Sequence, residues 1–392
     1  MIPFAFTFEL KDILLILIGL FLGLFFSFFK KDYRQKREKK ISDDLAYIKG
    51  INYVISNEPD RAIEELIKVV KFNPETVSAY IMLGNLFRSQ GEYERAIRIH
   101  QSIVLREDLD QRIKLQAMFD LSLDFKKAGL FNRAIDSFKE VIKFSSDNIE
   151  AFIHLEDIYE EVKDWEKAFK IRQKIASLRN SKEEEVLAHL LTEHGKEKQA
   201  LGKRDDARKY FENAIKYDEK CVDAWLNLGD LYFLKGEIEK AIYAWEKVII
   251  FSPSLTFDIF SRIKKALFNK DDDEKIFRFL EDMTKKYPEN PYLKVILGKK
   301  LLDTGKNEKA VEQFLQAKKI KPNLKEARES LIKSYQAMGK LEEAIKEIKD
   351  MFSLFKENEY KYQCRVCGYE TSQIIWKCPQ CRRWGTIQEK DD

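Results

Sequence analysis

The sequence WLNLGDLYFLKGEIEKAIYAWEKVIIFSP, residues 225–253, has the residue pattern of two helices packed against each other. Trp225 and Tyr232 recur at helical spacing and lie on one apolar face. Gly229 and Ala241 are small enough to let two helices approach closely, a glycine lies at the turn between them, and a proline ends the second helix. The stretch therefore predicts a helical hairpin, and such a hairpin buries its apolar face only when copies of it pack on either side.

Further copies of this hairpin follow one another along the chain. Each has a turn residue and, five positions later, an alanine, at Asn57/Ala62, Gly91/Ala96, Gly129/Ala134, Lys163/Ala168, Gly202/Ala207, Gly236/Ala241, Gly305/Ala310 and Gly339/Ala344. Successive alanines are 34, 38, 34, 39, 34, 69 and 34 residues apart, and the longest interval contains a degenerate copy, Phe260 to Pro288, with Ile276 in place of alanine. The period is that of the tetratricopeptide repeat (TPR), so we predict an all-α TPR superhelical solenoid of about nine repeats over residues 43–356.

The composition agrees with a well-folded, helix-rich protein. Of the 392 residues, 44% are hydrophobic and 35% are charged, so the chain can bury a large core. Its net charge is +4, but residues 30–42 alone contain seven basic and two acidic residues, a net charge of +5. The positive charge is therefore local, and the repeats are close to neutral.

Residues 13–29 form an uncharged apolar segment just before this basic arm. As a helix it would extend about 26 Å, at the short end for crossing a bilayer, so we predict a transmembrane helix. A cleaved signal peptide is the alternative, but the segment lacks a basic start and a small-residue cleavage site. The basic juxtamembrane arm, residues 30–42, marks the cytoplasmic side, which places the repeats in the cytoplasm and residues 1–12 outside. For the arm itself, a nucleic-acid-binding patch is the alternative.

Gly19 and Gly23 form a G-x-x-x-G step within the predicted anchor. Such a step lets a second transmembrane helix pack closely, which would provide a transmembrane contact or a homo-oligomer. Because glycine is common in membrane helices, a plain anchor is the favoured alternative, and the oligomeric state is left open.

Four of the five cysteines form two C-x-x-C pairs near the end of the chain, Cys364 with Cys367 and Cys378 with Cys381. Two such pairs supply four thiolates tetrahedrally to one metal ion, and a segment as short as residues 360–388 needs such an ion to be stable. We predict a small rubredoxin-like metal-binding domain with four cysteine ligands that holds zinc in the cell, with iron as the alternative metal. Two disulfides are a further alternative, disfavoured by the predicted cytoplasmic location.

Four aromatic residues surround these cysteines in the sequence: Tyr362, Tyr369, Trp376 and Trp384. We expect them to cover the metal domain and to contact the last repeat. The fifth cysteine, Cys221, starts a repeat helix, and we interpret it as a core residue.

No motif in the sequence indicates catalysis. The four histidines, His100, His154, His189 and His194, lie on repeat helices without metal-binding spacing to each other or to a carboxylate pair. The chain has no HExxH, phosphate loop, GxSxG or glycine-rich dinucleotide turn, and Ser330-Leu-Ile-Lys333 matches S-x-x-K without its companion motifs. We therefore predict that the protein is not an enzyme.

Two segments carry a family resemblance. They are GNLFRSQGEYERAIRIHQ, residues 84–101, and CRVCGYETSQIIWKCPQCRRWGT, residues 364–386. Together with the predicted anchor and the repeats, they resemble the lipopolysaccharide assembly protein B family, and the resemblance covers almost the whole chain.

The resemblance implies an adaptor in the inner membrane of Gram-negative bacteria. Similar proteins promote degradation of LpxC, the deacetylase that commits precursor to lipid A, by the membrane protease FtsH. They also receive a signal from an inner-membrane protein that reports lipopolysaccharide abundance. The resemblance further implies a rubredoxin-like domain that packs against the repeats, with its metal ligands at Cys364, Cys367, Cys378 and Cys381.

Three arginines in the first of these segments, Arg88, Arg95 and Arg98, are not required by TPR packing. The resemblance favours a partner-binding surface at these residues. The residue pattern alone favours a solvated helix face, and both interpretations stay open at this point.

Two other classes of function also stay open. A rubredoxin-type electron carrier on a TPR scaffold would need iron at the four cysteines. A zinc-ribbon nucleic-acid-binding protein is suggested by Arg382 and Arg383, but no basic face on the repeats supports it, so we expect no nucleic acid as a partner.

Overall fold

The structure is a computed structural model that describes most of the chain. The described residues are 45–72, 76–268, 272–354 and 361–390. The predicted membrane segment 13–29, with Gly19 and Gly23, and the basic arm 30–42 lie outside them. Within the described residues, no helix is long and apolar enough to cross a membrane.

Eighteen α-helices form nine consecutive hairpins in the described part of the chain. The first five hairpins contain α1 (45–55), α2 (Pro59–Phe72), α3 (Val77–Ser89), α4 (Tyr93–Val104), α5 (Gln111–Lys127), α6 (Phe131–Phe144), α7 (Ile149–Glu161), α8 (Trp165–Arg179), α9 (Glu184–Ala200) and α10 (Arg204–Tyr217). The last four contain α11 (Val222–Leu234), α12 (Ile238–Phe251), α13 (Thr256–Leu267), α14 (Asp273–Lys286), α15 (Pro291–Asp303), α16 (Asn307–Ile320), α17 (Lys325–Ala337) and α18 (Leu341–Leu354). The predicted helical TPR array is therefore confirmed.

The turn inside each regular hairpin occurs where the sequence predicts it. The backbone angle φ is positive at all eight aligned turn residues, between 73° and 78° at the six glycines, 56° at Asn57 and 59° at Lys163. This left-handed conformation ends a helix and redirects the chain, and glycine adopts it without steric cost. The short turns follow from this local geometry.

The alanines that we aligned lie between packed helices. Seven of the eight have no exposed surface, and Ala344 is 2% exposed. In the degenerate seventh hairpin, Ile276 occupies this place and is also buried. A larger residue is thus accommodated at one hairpin of the array.

Four hairpins share a close contact between a glycine on the first helix and a ring on the second, at Gly84/His100, Gly195/Phe211, Gly229/Trp245 and Gly298/Phe314. A β-carbon on any of these glycines would lie 2.4–2.5 Å from a ring atom, which is far inside van der Waals contact. The glycine is therefore what allows a ring to fill the space between the two helices.

The chain divides into two compact units, Met1–Ile158 and Tyr159–Asp392, and the division falls inside α7. The first unit has an apolar core between α2, α3 and α4 that includes Leu66 and Phe87. The second unit has a core around Trp245, to which α10 to α15 contribute. The second unit also contains the cysteine-rich segment.

The cysteine-rich segment adds a three-stranded antiparallel sheet to the helical array. Its strands are β1 (Tyr362–Cys364), β2 (Glu370–Thr371) and β3 (Ile387–Glu389), in the order β2-β1-β3. Gln363 in the central strand pairs with Glu370 on one side and with Gln388 on the other. One edge of β3 is therefore free of strand partners within this sheet.

We expect Gly229→Ala to destabilise the second unit by about 1–3 kcal/mol, because the added methyl group would overlap the indole of Trp245. Urea unfolding followed by circular dichroism measures this change. Trp245→Leu in the same chain should reduce the cost of the glycine substitution, since it removes the ring that the methyl group meets. Additive effects of the two substitutions would contradict this explanation.

Candidate metal centre and adjoining cleft

The two C-x-x-C pairs form two turns of the same shape. The amide of Gly368 donates to the carbonyl of Cys364, and the amide of Arg382 donates to the carbonyl of Cys378, each over 2.9 Å. The residue after each second cysteine has positive φ, 78° at Gly368 and 58° at Arg382. This turn points both thiols of a pair towards one point.

The structure brings the four predicted ligands together, and the Sγ atoms of Cys364, Cys367, Cys378 and Cys381 all lie within 4.8 Å of one another. The Cys364 and Cys381 sulfurs are 3.7 Å apart, and the Cys367 and Cys378 sulfurs are 3.6 Å apart. Tetrahedral ligands at a metal–sulfur distance of about 2.3 Å would be about 3.8 Å apart. The arrangement therefore fits one metal ion.

The surroundings of the thiols favour a cation at their centre. Burial acts to raise the pKa of Cys364, but its hydrogen bond with Thr386 and those from the amides of Cys367 and Val366 outweigh burial and lower the pKa to about 6. The neighbouring Cys367 has its pKa raised to about 11, by burial and by the other three thiols, against a hydrogen bond from the Tyr369 amide. Crowded thiols resist joint ionisation, and a bound cation removes that conflict.

The donor set limits the chemistry of this centre. Four thiolates suit zinc and iron alike, so the set does not select between the two metals that we considered. With all four positions taken by the protein, no position is open for water or substrate. The centre can stabilise the fold or, with iron, carry an electron, but it lacks the open coordination that metal-assisted hydrolysis needs.

The second cysteine turn docks on the end of α7 through paired charges. The Glu160 carboxylate accepts hydrogen bonds from Lys377 Nζ and, over 3.3 Å, from Trp384 Nε1. Arg382 lies 3.1 Å from the Glu161 carboxylate. Glu160 is 7% exposed, so its charge is stabilised mainly by these two donors.

The indole of Trp384 also packs on α9. Its ring stacks on the His189 imidazole with a centroid distance of 5.4 Å, and the Trp376 ring lies 6.1 Å from the same imidazole. Burial lowers the pKa of His189 to about 4, so the ring is neutral at physiological pH. We expected Trp376 and Trp384 to contact the last repeat. That expectation is wrong, because both tryptophans pack against α9 in the fifth hairpin. Sequence spacing alone does not indicate which repeat a terminal domain reaches.

The sheet of the metal domain reaches a different part of the array, the eighth hairpin. The Tyr292 hydroxyl at the start of α15 donates to the Glu389 carboxylate over 2.8 Å. Lys321 also pairs with Glu389, at 2.9 Å. Arg365 lies 3.5 Å from Glu185 at the start of α9. The domain thus contacts hairpins on both sides of an open space.

This open space is a cleft of about 1070 Å³ between the metal domain and the repeats of the second unit. The repeat side is formed by the beginnings of α9, α11 and α15 and by the segment between α12 and α13. The other side contains Tyr362, Trp376 and β3. Its lining includes Cys221, which is buried as expected, and burial raises the pKa of that thiol to about 12.

The three arginines of the predicted partner-binding surface do not share one environment. Arg88 is 16% exposed and is held between Asp120 and Asp124, at 3.0 and 2.8 Å. Arg95 is exposed, pairs with Glu92 and stacks on a phenylalanine ring, and Arg98 is exposed on α4. Arg88 therefore joins two hairpins within the first unit, while partner binding by the other two stays a prediction.

Charge pairs of this kind recur between neighbouring hairpins. Lys126 pairs with Asp157, Lys196 with Asp223 and Arg262 with Asp230, at 2.7–3.0 Å. Burial raises the pKa of Asp223 to about 6, and Lys196 partly offsets that shift. Basic residues on these helix faces mainly neutralise acidic residues of the adjacent hairpin.

A histidine–carboxylate contact escaped the sequence analysis. His100 is fully buried, and its Nδ1 lies 2.5 Å from the Asp124 carboxylate that also binds Arg88. The two residues are 24 positions apart, so no motif spacing signals the pair. In the sequence, the pair is signalled only by His100 itself, which occupies the ring position where other hairpins have tryptophan or phenylalanine opposite the glycine.

We expect Cys378→Ser to abolish metal binding, because Cys378 is fully buried and supplies one of the four sulfurs. Elemental analysis of the purified chain should show one metal ion in the wild type and none in the variant. Cys221→Ala provides the matched control, since that cysteine lies outside the cluster, and it should retain the ion. A fully loaded Cys378→Ser chain would contradict the assignment.

We expect the second unit to lose stability as the pH falls from about 6.5 to about 4, because the folded chain holds His189 neutral whereas the unfolded chain protonates it. The full effect is about 3 kcal/mol. Urea unfolding at pH 7 and pH 4.5 measures it against His189→Phe, which keeps an aromatic ring there. The wild type and the His189→Phe variant have the same acidic groups nearby. An equal pH dependence of their unfolding free energies would therefore contradict this role of His189.

Family models match both the repeats and the cysteine-rich segment. A family model described as "Rubredoxin metal binding domain" matches residues 362–389. Models described as "Tetratricopeptide repeat" match residues 79–113 and 192–254. A solved structure titled "Crystal structure of MamA protein" aligns with 46% of this chain and 93% of its own, at 22% identity and a TM-score of 0.36. A superposition of that quality says nothing about function.

Two relatives of similar length match almost the whole chain. The "Lipopolysaccharide assembly protein B" of Escherichia coli (strain K12) is 26% identical over 368 residues, which cover 91% of each chain. The protein of the same name from Haemophilus influenzae is 26% identical over 388 residues, covering 90% of this chain and 93% of its own. The chain is thus similar to lipopolysaccharide assembly protein B over nine-tenths of its length, which confirms the family resemblance that its motifs predicted.

Proposed function

We propose that this protein is a membrane-anchored TPR adaptor of lipopolysaccharide biosynthesis, which promotes proteolysis of LpxC by the membrane protease FtsH at the cytoplasmic side of the bacterial inner membrane. The similarity to lipopolysaccharide assembly protein B over nine-tenths of both chains carries the proposal. The predicted anchor, residues 13–29, and the basic arm that follows it supply the membrane location.

The described residues support an adaptor on physical grounds. Stacked TPR hairpins offer an extended surface for a segment of another protein. An anchor keeps such a segment near a protease in the same membrane, which raises their effective concentration without any new chemistry. The closed metal centre, with four thiolates and no open position, adds no reaction of its own.

The metal domain has a structural part in this proposal. Its second cysteine turn binds Glu160 and Glu161 on α7, and its sheet binds Tyr292 on α15. Metal binding therefore holds hairpins that are far apart in the sequence to one common domain. A partner that binds these hairpins would depend on the metal indirectly.

The alternatives receive less support from the geometry. Of the two arginines that suggested nucleic-acid binding, Arg382 lies against Glu161, where an acidic residue already occupies the position that a phosphate would take, and Arg383 is exposed. The nearby Arg365 likewise lies against Glu185. An electron carrier needs iron at the centre, and a visible absorption band that bleaches on reduction would favour that function.

Crosslinking in intact cells tests the adaptor. We expect FtsH, LpxC and an inner-membrane lipopolysaccharide-sensing protein to be recovered with the wild-type chain, and LpxC to turn over more slowly in cells with Cys378→Ser. Cys221→Ala controls for loss of a cysteine outside the cluster. Unchanged LpxC turnover in a Cys378→Ser strain that still has the protein in its membrane would refute the role of the metal domain. Recovery of redox enzymes or ribosomal components instead would refute the adaptor itself.

A further inference from the structure

The cleft beside the metal domain contains an exposed strand edge. β3 forms part of one wall, through Ile387, Gln388 and Glu389. In the three-stranded sheet, β3 pairs with β1 on one side only. The cleft volume of about 1070 Å³ lies at the upper end of the range for small-molecule sites, which leaves room for a short peptide segment.

The register of the sheet shows which backbone groups of β3 are free. The amide of Arg365 donates to the Thr386 carbonyl, and the amide of Lys390 donates to the Lys361 carbonyl. In an antiparallel ladder, bonded pairs alternate with unbonded pairs, so Gln388 exchanges its bonds with Gln363 of β1. The amides and carbonyls of Ile387 and Glu389 therefore point away from β1, and they bond to no other backbone group in the described residues.

A free edge of this kind accepts another strand when nothing covers it. Three residues of edge, with two outward amides and two outward carbonyls, are enough to fix the direction and register of an added segment. The neighbouring walls can hold its side chains, because Val186, Ile374 and Trp376 line the same cleft and are only half-buried.

The charges around the cleft favour a basic segment. The lining contains five carboxylates and three basic side chains, a net charge of −2. Glu185 pairs with Arg365, and Glu389 pairs with Lys321. Glu183 pairs with Arg172 and Arg179 of the preceding helix, whereas Glu184 has only the exposed Lys182 nearby, at 3.7 Å. Burial raises the pKa of Glu185, and Arg365 offsets this only in part, so negative charge on this wall is incompletely compensated. Basic side chains of a bound segment would pair with Glu184, which is exposed, and with Asp218, whose carboxylate accepts from the Lys220 amide.

The repeat side of the cleft contains a buried polar atom without a hydrogen-bond partner among the described residues. Nδ1 of His189 is buried and has no hydrogen-bond partner among the described residues. His189 is 4% exposed and lines the cleft beside the tryptophans of the metal domain. A buried nitrogen without a partner costs free energy, and a polar group of a bound segment could reduce that cost after a small shift of the ring.

We propose that this cleft binds an extended segment of a partner protein, in which apolar and basic side chains alternate, as an additional strand on the free edge of β3. The apolar side chains contact Val186 and Trp376, and the basic side chains face Glu184 and Asp218. The proposal rests on the adaptor function, for which it names the docking site and the chemistry of the docked segment.

The site needs both parts of the second unit. β3 belongs to the metal domain, whereas Glu184, Val186 and Asp218 belong to the repeats. A chain without its metal would lose the strand edge and keep the acidic wall. Dependence of peptide binding on the metal therefore follows from the geometry.

The probe is an eight-residue peptide of alternating valine and lysine, capped at both ends and added to the metal-loaded full chain in detergent. We expect it to slow hydrogen exchange at the amides of Ile387 and Glu389, because these donors become bonded. A peptide of alternating valine and glutamate, and the valine–lysine peptide with every second amide N-methylated, should each bind at least about tenfold more weakly.

Glu184→Lys tests the acidic wall, and we expect it to weaken binding of the valine–lysine peptide about fivefold. Glu239→Lys is the matched control, because both residues are exposed glutamates in the first turn of a helix and Glu239 lies outside the cleft. Equal effects of the two substitutions would overturn the proposed contact.

Failure of the valine–lysine peptide to protect these two amides at millimolar concentration would overturn the strand-addition site. So would equal binding of the glutamate peptide or of the N-methylated peptide. These measurements contain neither LpxC nor FtsH, so the site can fail while metal-dependent LpxC turnover, and with it the adaptor function, stands.

Discussion

Close packing between the two helices of a hairpin, tightest at the four glycines that face a ring, governs how the array is built. At Gly229 the first helix of a hairpin comes so near the second that a β-carbon would overlap the Trp245 ring. The aligned alanines on the second helices are buried for the same reason, seven of them without exposed surface. Close approach gives each hairpin a flat apolar face, and that face is covered only by the next hairpin. The array extends because no single hairpin is stable alone.

Charge pairs complete the packing between neighbouring hairpins. Arg88 with Asp120 and Asp124, and Lys196 with Asp223, join helices that the apolar contacts have already brought together. Because the three aspartates are at most 4% exposed, removing a basic partner leaves a carboxylate that water hardly reaches. In the sequence, such basic residues resemble a binding surface. In the structure, they hold neighbouring hairpins together. The partner segment that we propose binds at the cleft in the second unit, which this pairing does not use.

Charge pairs and a hydrogen bond also attach the metal domain to helices that are distant from it in the sequence. Its basic residues meet the acidic end of α7 at Glu160 and Glu161, and its strand β3 meets α15 through Tyr292. The four thiols are what give so short a segment a defined shape. This small domain thereby connects α7 to α15 within the second unit. One edge of its strand β3 lies in the cleft beside the repeats.

Local residue patterns were enough to predict the helices, their turns and the cluster of four cysteines. The hairpins, their left-handed turn residues and the cluster of Cys364, Cys367, Cys378 and Cys381 all depend on local spacing, which a chain displays directly. Four features became visible only in the folded chain: the position of the metal domain, the packing of Trp384 on His189, the inward direction of Arg88, and the contact of His100 with Asp124. These contacts join residues from 24 to about 200 positions apart, and their partners are selected by the stacking of whole hairpins. No local pattern encodes that stacking, because it is the sum of many small packing rotations along the array.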